Sequence, residues 1–379
     1  MRVTRLGTVI LGFSAMLMAG CGMGMMTPPP GPACTPAAQP AFAYVLSTHP
    51  TDEVSMFTVN SCTGALTPTT PASAATQFNP ESMVVDHSGR FAYVANLVSN
   101  ASDQATISMF TIEPTTGVLT PTTPPTVGTG FLPQGIGIDA ASKFVYTANS
   151  DDNTISMFTI NSTTGVLTPT SPAAVAAGQS PLSITVHPSG KFAYAANQDD
   201  DTISMYTVNP NTGVLTPMSP ATVSTGASPF GVTIDPSGKF AYVPNAYDPN
   251  NSVSQYTIDA NTGVLTPNAQ ITATVQANPT AVAIDPSGRF AYVVNRGADS
   301  VSMFTIDPTT GSLAPNGLNA VSTGDQPFRI AVDPSGKFVY VVDENDGAVS
   351  IYTVNTDGTL TNAGGAMTGL SPVDVAVTH

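Results

Sequence analysis

The sequence of 379 residues is poor in charge, and in positive charge above all. Only 9% of its residues are charged, and 10 Lys and Arg stand against 25 Asp and Glu, for a formal net charge of −15. Such an acidic surface repels a phosphate backbone, which argues against nucleic-acid binding. The polar residues are instead mainly Thr, Ser and Asn. That mixture favours β-strands joined by tight turns over helices.

Long apolar runs are missing after the first 20 residues, where nothing approaches the roughly 20 apolar residues of a membrane span. Residues 1–20 combine two arginines, an apolar run over residues 9–17 and small residues before Cys21. This pattern predicts an export signal. It resembles a bacterial lipobox, with Met18 where Leu is usual, and would make Cys21 the lipidated residue. Gly22 in place of Asp then favours the outer membrane. An ordinary cleaved signal, with Cys21 incidental, is the alternative.

Cysteine is scarce, with only Cys34 and Cys62 after Cys21. Cys34 lies within residues 21–40, which are rich in Met, Pro and Ala and predict a semi-rigid tether. In an oxidising compartment a Cys34–Cys62 disulfide would close a loop of about 28 residues. Such a loop closure stabilises a fold by roughly 3–4 kcal/mol.

Familiar catalytic and metal-binding patterns are also missing. The sequence has no recognisable Ser/His/Asp arrangement, phosphate-binding Gly-rich loop or Cys/His metal spacing. Its four histidines fall in predicted turns (His87, His187), in a loop (His49) and at the end (His379). Asp-rich loops such as residues 199–201 offer oxygen ligands for Ca²⁺ but lack the spaced calcium-loop pattern, so we favour solvated loops. We expect no metal and no cofactor.

What the sequence does contain is a repeat. The stretch Asp-Pro-Ser-Gly-Lys-Phe-Ala-Tyr-Val at residues 235–243 has close relatives along the chain, and its Phe-X-Tyr core recurs at spacings of 48 to 53 residues. The seven cores begin at Phe42, Phe91, Phe144, Phe192, Phe240, Phe290 and Phe338. This period is typical of arrays of four-strand units rather than helical repeats.

One repeat read in detail predicts four strands, at residues 229–234, 239–245, 252–258 and about 264–267. Four short antiparallel strands per unit make a propeller blade. We therefore predict an all-β fold in which residues 41–379 form one monomeric seven-bladed β-propeller. The chain starts without an innermost strand and ends with one, so residues 372–378 are predicted to close the ring beside residues 42–45.

The two faces of this ring should differ in charge. Six of the eight cations beyond residue 20 follow the Ser-Gly turns and ring one face: Arg90, Lys143, Lys191, Lys239, Arg289 and Lys337. Only Arg296 and Arg329 remain outside this set, while the opposite face collects the Asp-rich loops. A strongly negative face follows. A recurring Met one residue before the third-strand aromatic is read as core packing between blades rather than as metal ligation.

The combination of Asp-Pro-Ser-Gly-Lys-Phe-Ala-Tyr-Val-X-Asn, Ile-Ser-Met-Phe-Thr-Ile and Thr-Gly-Val-Leu-Thr-Pro resembles the lactonase-like seven-bladed propellers over residues 41–379. These include bacterial 6-phosphogluconolactonase and YVTN-type surface-layer repeats. The resemblance implies lactone-opening His and Arg residues at the starts of the innermost strands. The matching positions, each just after a proline, are Glu81, Gln134, Leu182, Phe230, Thr280, Phe328 and Val373.

Leu182, Phe230 and Phe328 stand where the family carries its His and two Arg. Arg329 is one residue further along, and strand alternation predicts that it points to the other side. Two hypotheses follow. The first is a lipid-anchored, non-enzymatic envelope module that binds a protein or glycan through its acidic face or through Glu81, Gln134, Leu182, Phe230, Thr280, Phe328 and Arg329. The second is a lactone hydrolase that uses Glu81, Gln134 and Arg329 on a non-phosphorylated substrate.

Overall fold

A computed structural model describes residues 40–48, 50–97, 104–249 and 251–378. The predicted signal segment, the tether up to residue 39, Cys21, Cys34, His49 and His379 lie outside these residues. Cys62 is disulfide-bonded, and its pairing with Cys34 stays a prediction. The described part of the chain contains no helix long and apolar enough to cross a membrane.

Seven four-stranded antiparallel sheets follow one another along the chain, and each is a blade of a β-propeller. Blade 1 comprises β1 (Ala41–Ser47), β2 (Glu53–Val59) and β3 (Leu66–Ala75), with the last strand of the chain, β28 (Pro372–Val377), as its innermost strand. Blade 2 comprises β4 (Pro80–Val85), β5 (Phe91–Asn96), β6 (Thr106–Ile112) and β7 (Leu119–Gly128). Blade 3 comprises β8 (Pro133–Ile138), β9 (Phe144–Asn149), β10 (Thr154–Ile160) and β11 (Leu167–Ala176).

The remaining blades repeat this order from the innermost strand outward. Blade 4 comprises β12 (Pro181–Val186), β13 (Phe192–Asn197), β14 (Thr202–Val208) and β15 (Leu215–Ser224). Blade 5 comprises β16 (Thr233–Ile234), β17 (Phe240–Asn245), β18 (Ser252–Ile258) and β19 (Leu265–Thr274). Blade 6 comprises β20 (Pro279–Ile284), β21 (Phe290–Asn295), the short 3₁₀ helix Arg296–Ala298, β22 (Ser300–Ile306) and β23 (Leu313–Ser322). Blade 7 comprises β24 (Pro327–Val332), β25 (Phe338–Asp343), β26 (Ala348–Val354) and β27 (Leu360–Met367). The predicted all-β seven-bladed fold is confirmed.

The last strand closes the ring as predicted. β28 pairs antiparallel with β1 from Ala43 opposite Val377 to Leu46 opposite Asp374. Phe42 extends the junction, since its carbonyl accepts from the Thr378 N–H at 2.9 Å and its N–H donates to the Thr378 hydroxyl at 2.9 Å. The inner edge of β1 is therefore covered, which removes the unpaired strand edge that an open array would leave.

The Phe-X-Tyr core and the Thr-Gly turn of the next blade interlock. The Tyr44 hydroxyl donates to the Gly117 carbonyl at 2.9 Å. Gly117 has φ +71°, and a Cβ there would lie 2.3 Å from the Phe42 ring, so only glycine fits. The equivalent Tyr–Gly bond recurs between successive blades and crosses the closure from Tyr340 to Gly64 at 2.9 Å. The most prominent repeat in the sequence therefore forms the contacts that join neighbouring blades.

The recurring methionines pack between blades, which confirms their predicted role. Met56 is fully buried and its sulfur accepts from the Leu119 N–H of blade 2 at 3.2 Å. In blade 5 Gln255 replaces the Met, and its side-chain oxygen accepts from the Leu313 N–H at 2.7 Å. A chemically different acceptor therefore fills the same place.

Two strand predictions were wrong in extent. The fourth strand of blade 5 was predicted at about residues 264–267, yet β19 has ten residues. Its register shifts between Ser254 and Tyr256 of β18, so the strand continues past its proline as a bulge. The innermost strand was predicted at residues 229–234, but only β16 is regular there. On β17 the Pro244 carbonyl accepts from the Phe230 N–H at 2.9 Å, but Pro244 has no N–H to donate in return.

Candidate functional site

The seven positions after the opening prolines surround one mouth of the central channel, because the innermost strands all start at the same end of the ring. In the regular inner strands the pairing register shifts just after this proline, for example between Pro80 and Ser82 in β4 and between Pro327 and Arg329 in β24. At the mouth Leu182, Thr280 and Val373 are buried, whereas Glu81, Gln134, Phe230 and Phe328 are partly exposed.

Arg329 faces the channel, which corrects the prediction that it points to the other side of its strand. It lines a channel cavity of about 220 Å³ together with Ser82, Ser183 and Asp374. The physical reason is the register shift between Pro327 and Arg329, since a bulge interrupts the two-residue alternation on which the prediction rested. The channel wall is therefore formed by the residues two places after the prolines.

Two aromatic rings hold the guanidinium of Arg329. Its Cζ lies 5.2 Å from the ring centroid of Phe230 and 5.2 Å from that of Phe328. The two rings meet edge to face, with centroids 5.5 Å apart and planes at 82°. Thr280, between these blades, donates from its hydroxyl to the Phe328 carbonyl at 2.9 Å. Cation–π contacts fix the plane of the guanidinium and leave its N–H groups for a ligand.

Arg296, the other cation at this mouth, is paired. Its Nη2 lies 2.6 Å from Glu344 Oε2 and donates to Gln326 Oε1 at 2.9 Å. Its Cζ also lies 5.3 Å from the centroid of Phe328. By contrast, no carboxylate of the described residues lies within salt-bridge distance of Arg329. The mouth therefore presents one cation that is paired and one that is held only by aromatic rings.

Asp374 is a site residue that the sequence analysis did not single out. It sits on β28 and accepts from the Met83 N–H at 2.9 Å and from the Ser82 hydroxyl at 3.1 Å, both on β4. Burial raises the pKa of Asp374, while the positive charge of Arg329 and these hydrogen bonds lower it. Its one visible signal in the sequence was a charge on an otherwise apolar closing strand.

Glu81, at the same mouth, also has a raised pKa. Burial raises the pKa of Glu81 to about 7, Arg329 opposes that rise, and the negative charges of Glu344 and Asp374 add to it. One of its oxygens accepts from the Asn79 side-chain amide at 3.4 Å. A carboxyl with this pKa exchanges its proton near neutral pH, as a general base must. Arg329, Asp374 and Glu81 come from blades 7, 1 and 2, which are neighbours in the ring.

Neither described histidine lies at this mouth. His187 is buried in a turn, where its ring nitrogens pair with the Ser189 hydroxyl at 2.8 Å and the Gly238 carbonyl at 2.8 Å. His87 lines a separate cavity of about 310 Å³ with Asp86 and Gly89 of its turn, which places it at the opposite end of the channel. The site therefore has carboxyl and guanidinium groups to work with, and no described imidazole.

The Asp-rich loops, predicted to be simply solvated, carry structural hydrogen bonds to neighbouring loops. Asp201 Oδ1 accepts from the Ser228 N–H at 2.7 Å, and Asp299 Oδ1 from the Gln326 N–H at 3.0 Å. Asp152 Oδ2 accepts from the Phe131 N–H at 2.8 Å. These carboxylates fix the loops that lead into the inner strands. Among the described residues no group of three or more acidic, His or Cys side chains is placed to hold a metal ion.

Asp343 stands at a position where five other blades carry a buried asparagine, and we expect Asp343→Asn to stabilise the protein. Equivalent positions carry Asn96, Asn149, Asn197, Asn245 and Asn295. Asp343 is 1% exposed, and burial raises its pKa to about 6. The folded state therefore binds a proton that the unfolded state releases between about pH 4 and 6, so wild-type stability falls as pH rises through that window. Asn removes this loss, which is about 2–3 kcal/mol at pH 8.

Urea unfolding at pH 8 and at pH 3.5 measures this effect, because both forms of residue 343 are uncharged at the lower pH. Asn295→Asp in blade 6 is the matched control and should destabilise at pH 8 by a similar amount. Equal stability of wild type and Asp343→Asn at pH 8 would contradict the assignment.

A comparison with known protein families agrees with the seven-bladed architecture. The family model described as "Lactonase, 7-bladed beta-propeller" matches residues 37–131, 124–227, 217–317 and 267–377. Together these segments cover the propeller. No curated protein matches the chain.

Solved structures with the same fold are numerous. A candidate 6-phosphogluconolactonase from Bacteroides fragilis is 23% identical, with a TM-score of 0.78 over 91% of this chain and 100% of its own. A candidate 6-phosphogluconolactonase from Bacteroides uniformis is 22% identical, with a TM-score of 0.77 over 90% and 100%. The periplasmic gluconolactonase PpgL of Pseudomonas aeruginosa is 19% identical, with a TM-score of 0.75 over 90% and 99%. At these identities the likeness establishes the fold.

Proposed function

Since the chain belongs to the seven-bladed β-propeller lactonase family, we propose that it hydrolyses a lactone at the mouth of its central channel. The proposal rests on the meeting at one mouth of partly buried Glu81, whose pKa is raised by burial to about 7, and Arg329, which lines the channel cavity and which no described carboxylate neutralises by direct contact. Ring opening needs a base for water and a donor for the developing oxyanion. These two residues supply both.

The proposed reaction begins with water attacking the lactone carbonyl carbon while the Glu81 carboxylate removes a proton from that water. Negative charge develops on the carbonyl oxygen, and the Arg329 guanidinium stabilises it. The ring C–O bond then breaks. The leaving alkoxide takes the proton from Glu81, and the product is a hydroxy acid. In this proposal Gln134, on the neighbouring blade, donates a hydrogen bond to the substrate.

The charge at the mouth favours a substrate without a phosphate group. Arg296 is already paired with Glu344 at 2.6 Å. A phosphate at the mouth would therefore face Glu81, Asp374 and Glu344 with Arg329 as its one unpaired cation among the described residues. Phosphate is bound mainly through charge-assisted hydrogen bonds to cations, and here the carboxylates oppose it. We therefore assign a neutral lactone to this site.

Arg329→Ala is expected to lower kcat/KM for lactone hydrolysis about 100-fold, because it removes an oxyanion donor. The assay titrates the acid released from a panel of sugar and aliphatic lactones by the full-length protein. Lys239→Ala is the matched control, since it removes an exposed cation at the opposite face. An Arg329→Ala protein with wild-type turnover would overturn the proposed role.

The first sequence-based hypothesis, a binding module without catalysis, gives a different result in the same assay. A correctly folded wild-type protein that opens no lactone in the panel, yet specifically binds a protein or glycan of the cell envelope, would support that hypothesis and overturn the proposed activity.

A further inference from the structure

Large apolar side chains stand exposed at one repeated position of the mouth face. Phe78 is 44% exposed, Phe131 is 42% exposed and Leu370 is 61% exposed. Each lies two residues before the proline that opens an innermost strand, in the loops before β4, β8 and β28. We call these three residues the apolar lip. Isolated exposed apolar residues need no explanation, but three at one repeated position of adjacent blades do.

The apolar lip occupies one side of the ring. Its residues belong to blades 1, 2 and 3, whose innermost strands pack side by side. The same position in the other four blades carries Gln179, Ala227, Ala277 and Asp325. The lip therefore does not follow from the repeat, which would place similar residues all round.

The apolar lip adjoins the proposed site. Phe78 precedes Glu81 by three residues and Phe131 precedes Gln134 by three, so at most about 10 Å of chain separates each pair. The lip loops are also held in place. Asn79, next to Phe78, donates its N–H to Asp52 Oδ1 at 3.1 Å, and Phe131 donates its N–H to Asp152 Oδ2 at 2.8 Å. The apolar rings are thus presented by fixed backbone.

We propose that the substrate is a lactone whose ring carries an apolar substituent, and that this substituent lies against the apolar lip. The inference rests on the proposed hydrolysis. With the lactone carbonyl between Glu81 and Arg329, the lip lies on the Glu81 side of the mouth and Phe230 and Phe328 on the Arg329 side. An alkyl group that leaves the ring towards blades 2 and 3 buries apolar surface on both partners. Fully buried methylenes raise affinity about fourfold each, and the half-covered ones here about twofold.

The test uses four γ-lactones that differ only in the γ substituent: hydrogen, methyl, butyl and hexyl. For the wild-type protein we expect kcat/KM to rise about twofold per methylene. In the double variant Phe78→Ala/Phe131→Ala this rise should disappear, while the unsubstituted lactone is hydrolysed at the wild-type rate. Tyr247→Ala is the matched control, because Tyr247 is a 62% exposed aromatic on a mouth-face loop of blade 5. It should retain the full chain-length dependence.

The outcomes separate this inference from the proposed function. Hydrolysis of the unsubstituted lactone without any chain-length dependence overturns the lip assignment and leaves the activity standing. If none of the four lactones is hydrolysed, the proposed activity is wrong. Equilibrium binding of the same series then tests whether the substituent contacts the apolar lip. Tighter binding of the hexyl lactone that is lost in the double variant supports the apolar lip, and equal binding of all four overturns it.

Discussion

Deletion of residues 372–379 is expected to lower the melting temperature by about 10 °C or more, and to remove the single cooperative transition. The deletion strips β28 from β1 and exposes its hydrogen-bonding edge. It also removes Val373 and Val375, which are 6% and 7% exposed and belong to two different core clusters between blades. Each such side chain contributes about 1.5–3 kcal/mol by burial. Total stabilities are typically about 5–15 kcal/mol, so the loss takes much of the whole.

Thermal unfolding followed by circular dichroism measures the effect, and a protein that ends at residue 378 is the control for shortening the chain. A synthetic peptide of residues 371–379, added to the truncated protein, should restore part of the lost melting temperature because it can occupy the same edge of β1. A truncated protein with an unchanged melting curve would show that the ring does not depend on this closure.

The repeat made most of this fold predictable. Each copy contains its own turn and core signals, so seven imperfect copies of one pattern specify seven blades even where one copy deviates. The unequal ends of the chain, with a missing inner strand at Ala41 and a spare one at Pro372, then predicted which blade is completed last. The number of blades and the closing strand were both predicted from local sequence patterns and from the number of strands that they specify. A sequence contains this information directly.

The site was less predictable because it depends on breaks in the pattern. The side-chain alternation of a regular strand predicted that Arg329 points away from the channel. The bulge after Pro327 changes this alternation, and Arg329 faces the channel. The role of Asp374 at the site was missed, because its hydrogen bonds join β28 to β4. These strands are about 290 positions apart in the sequence. The Arg296–Glu344 pair likewise joins two blades. Contacts between blades depend on how the ring closes, and a single repeat does not contain them.

Glu81→Gln is expected to lower kcat for lactone hydrolysis by about 10²–10⁴-fold, because it removes the base that activates water. The pH profile should identify the residue. With the pKa of Glu81 raised by burial to about 7, the wild-type rate should climb with pH and level off above about 7. A carboxyl with an ordinary pKa would reach its plateau more than two pH units lower. The variant should lose this ascending limb, measured between pH 5 and 8.

Stability separates this catalytic role from a structural one, because the two effects of Glu81→Gln have opposite signs. Between about pH 4.5 and 7 the folded state holds a proton on Glu81 that the unfolded state releases, so the wild type loses stability as pH rises. The variant escapes this loss and should be about 1–2 kcal/mol more stable at pH 8, after allowing for the partial exposure of the side chain. A protein that is more stable and yet inactive has lost its catalytic group and kept its fold.

Glu344→Gln is the matched control, because it removes a negative neighbour that raises the pKa of Glu81. The ascending limb of the pH profile should therefore move to lower pH, with kcat largely kept. A limb that stays in place in both variants would assign the base to another group.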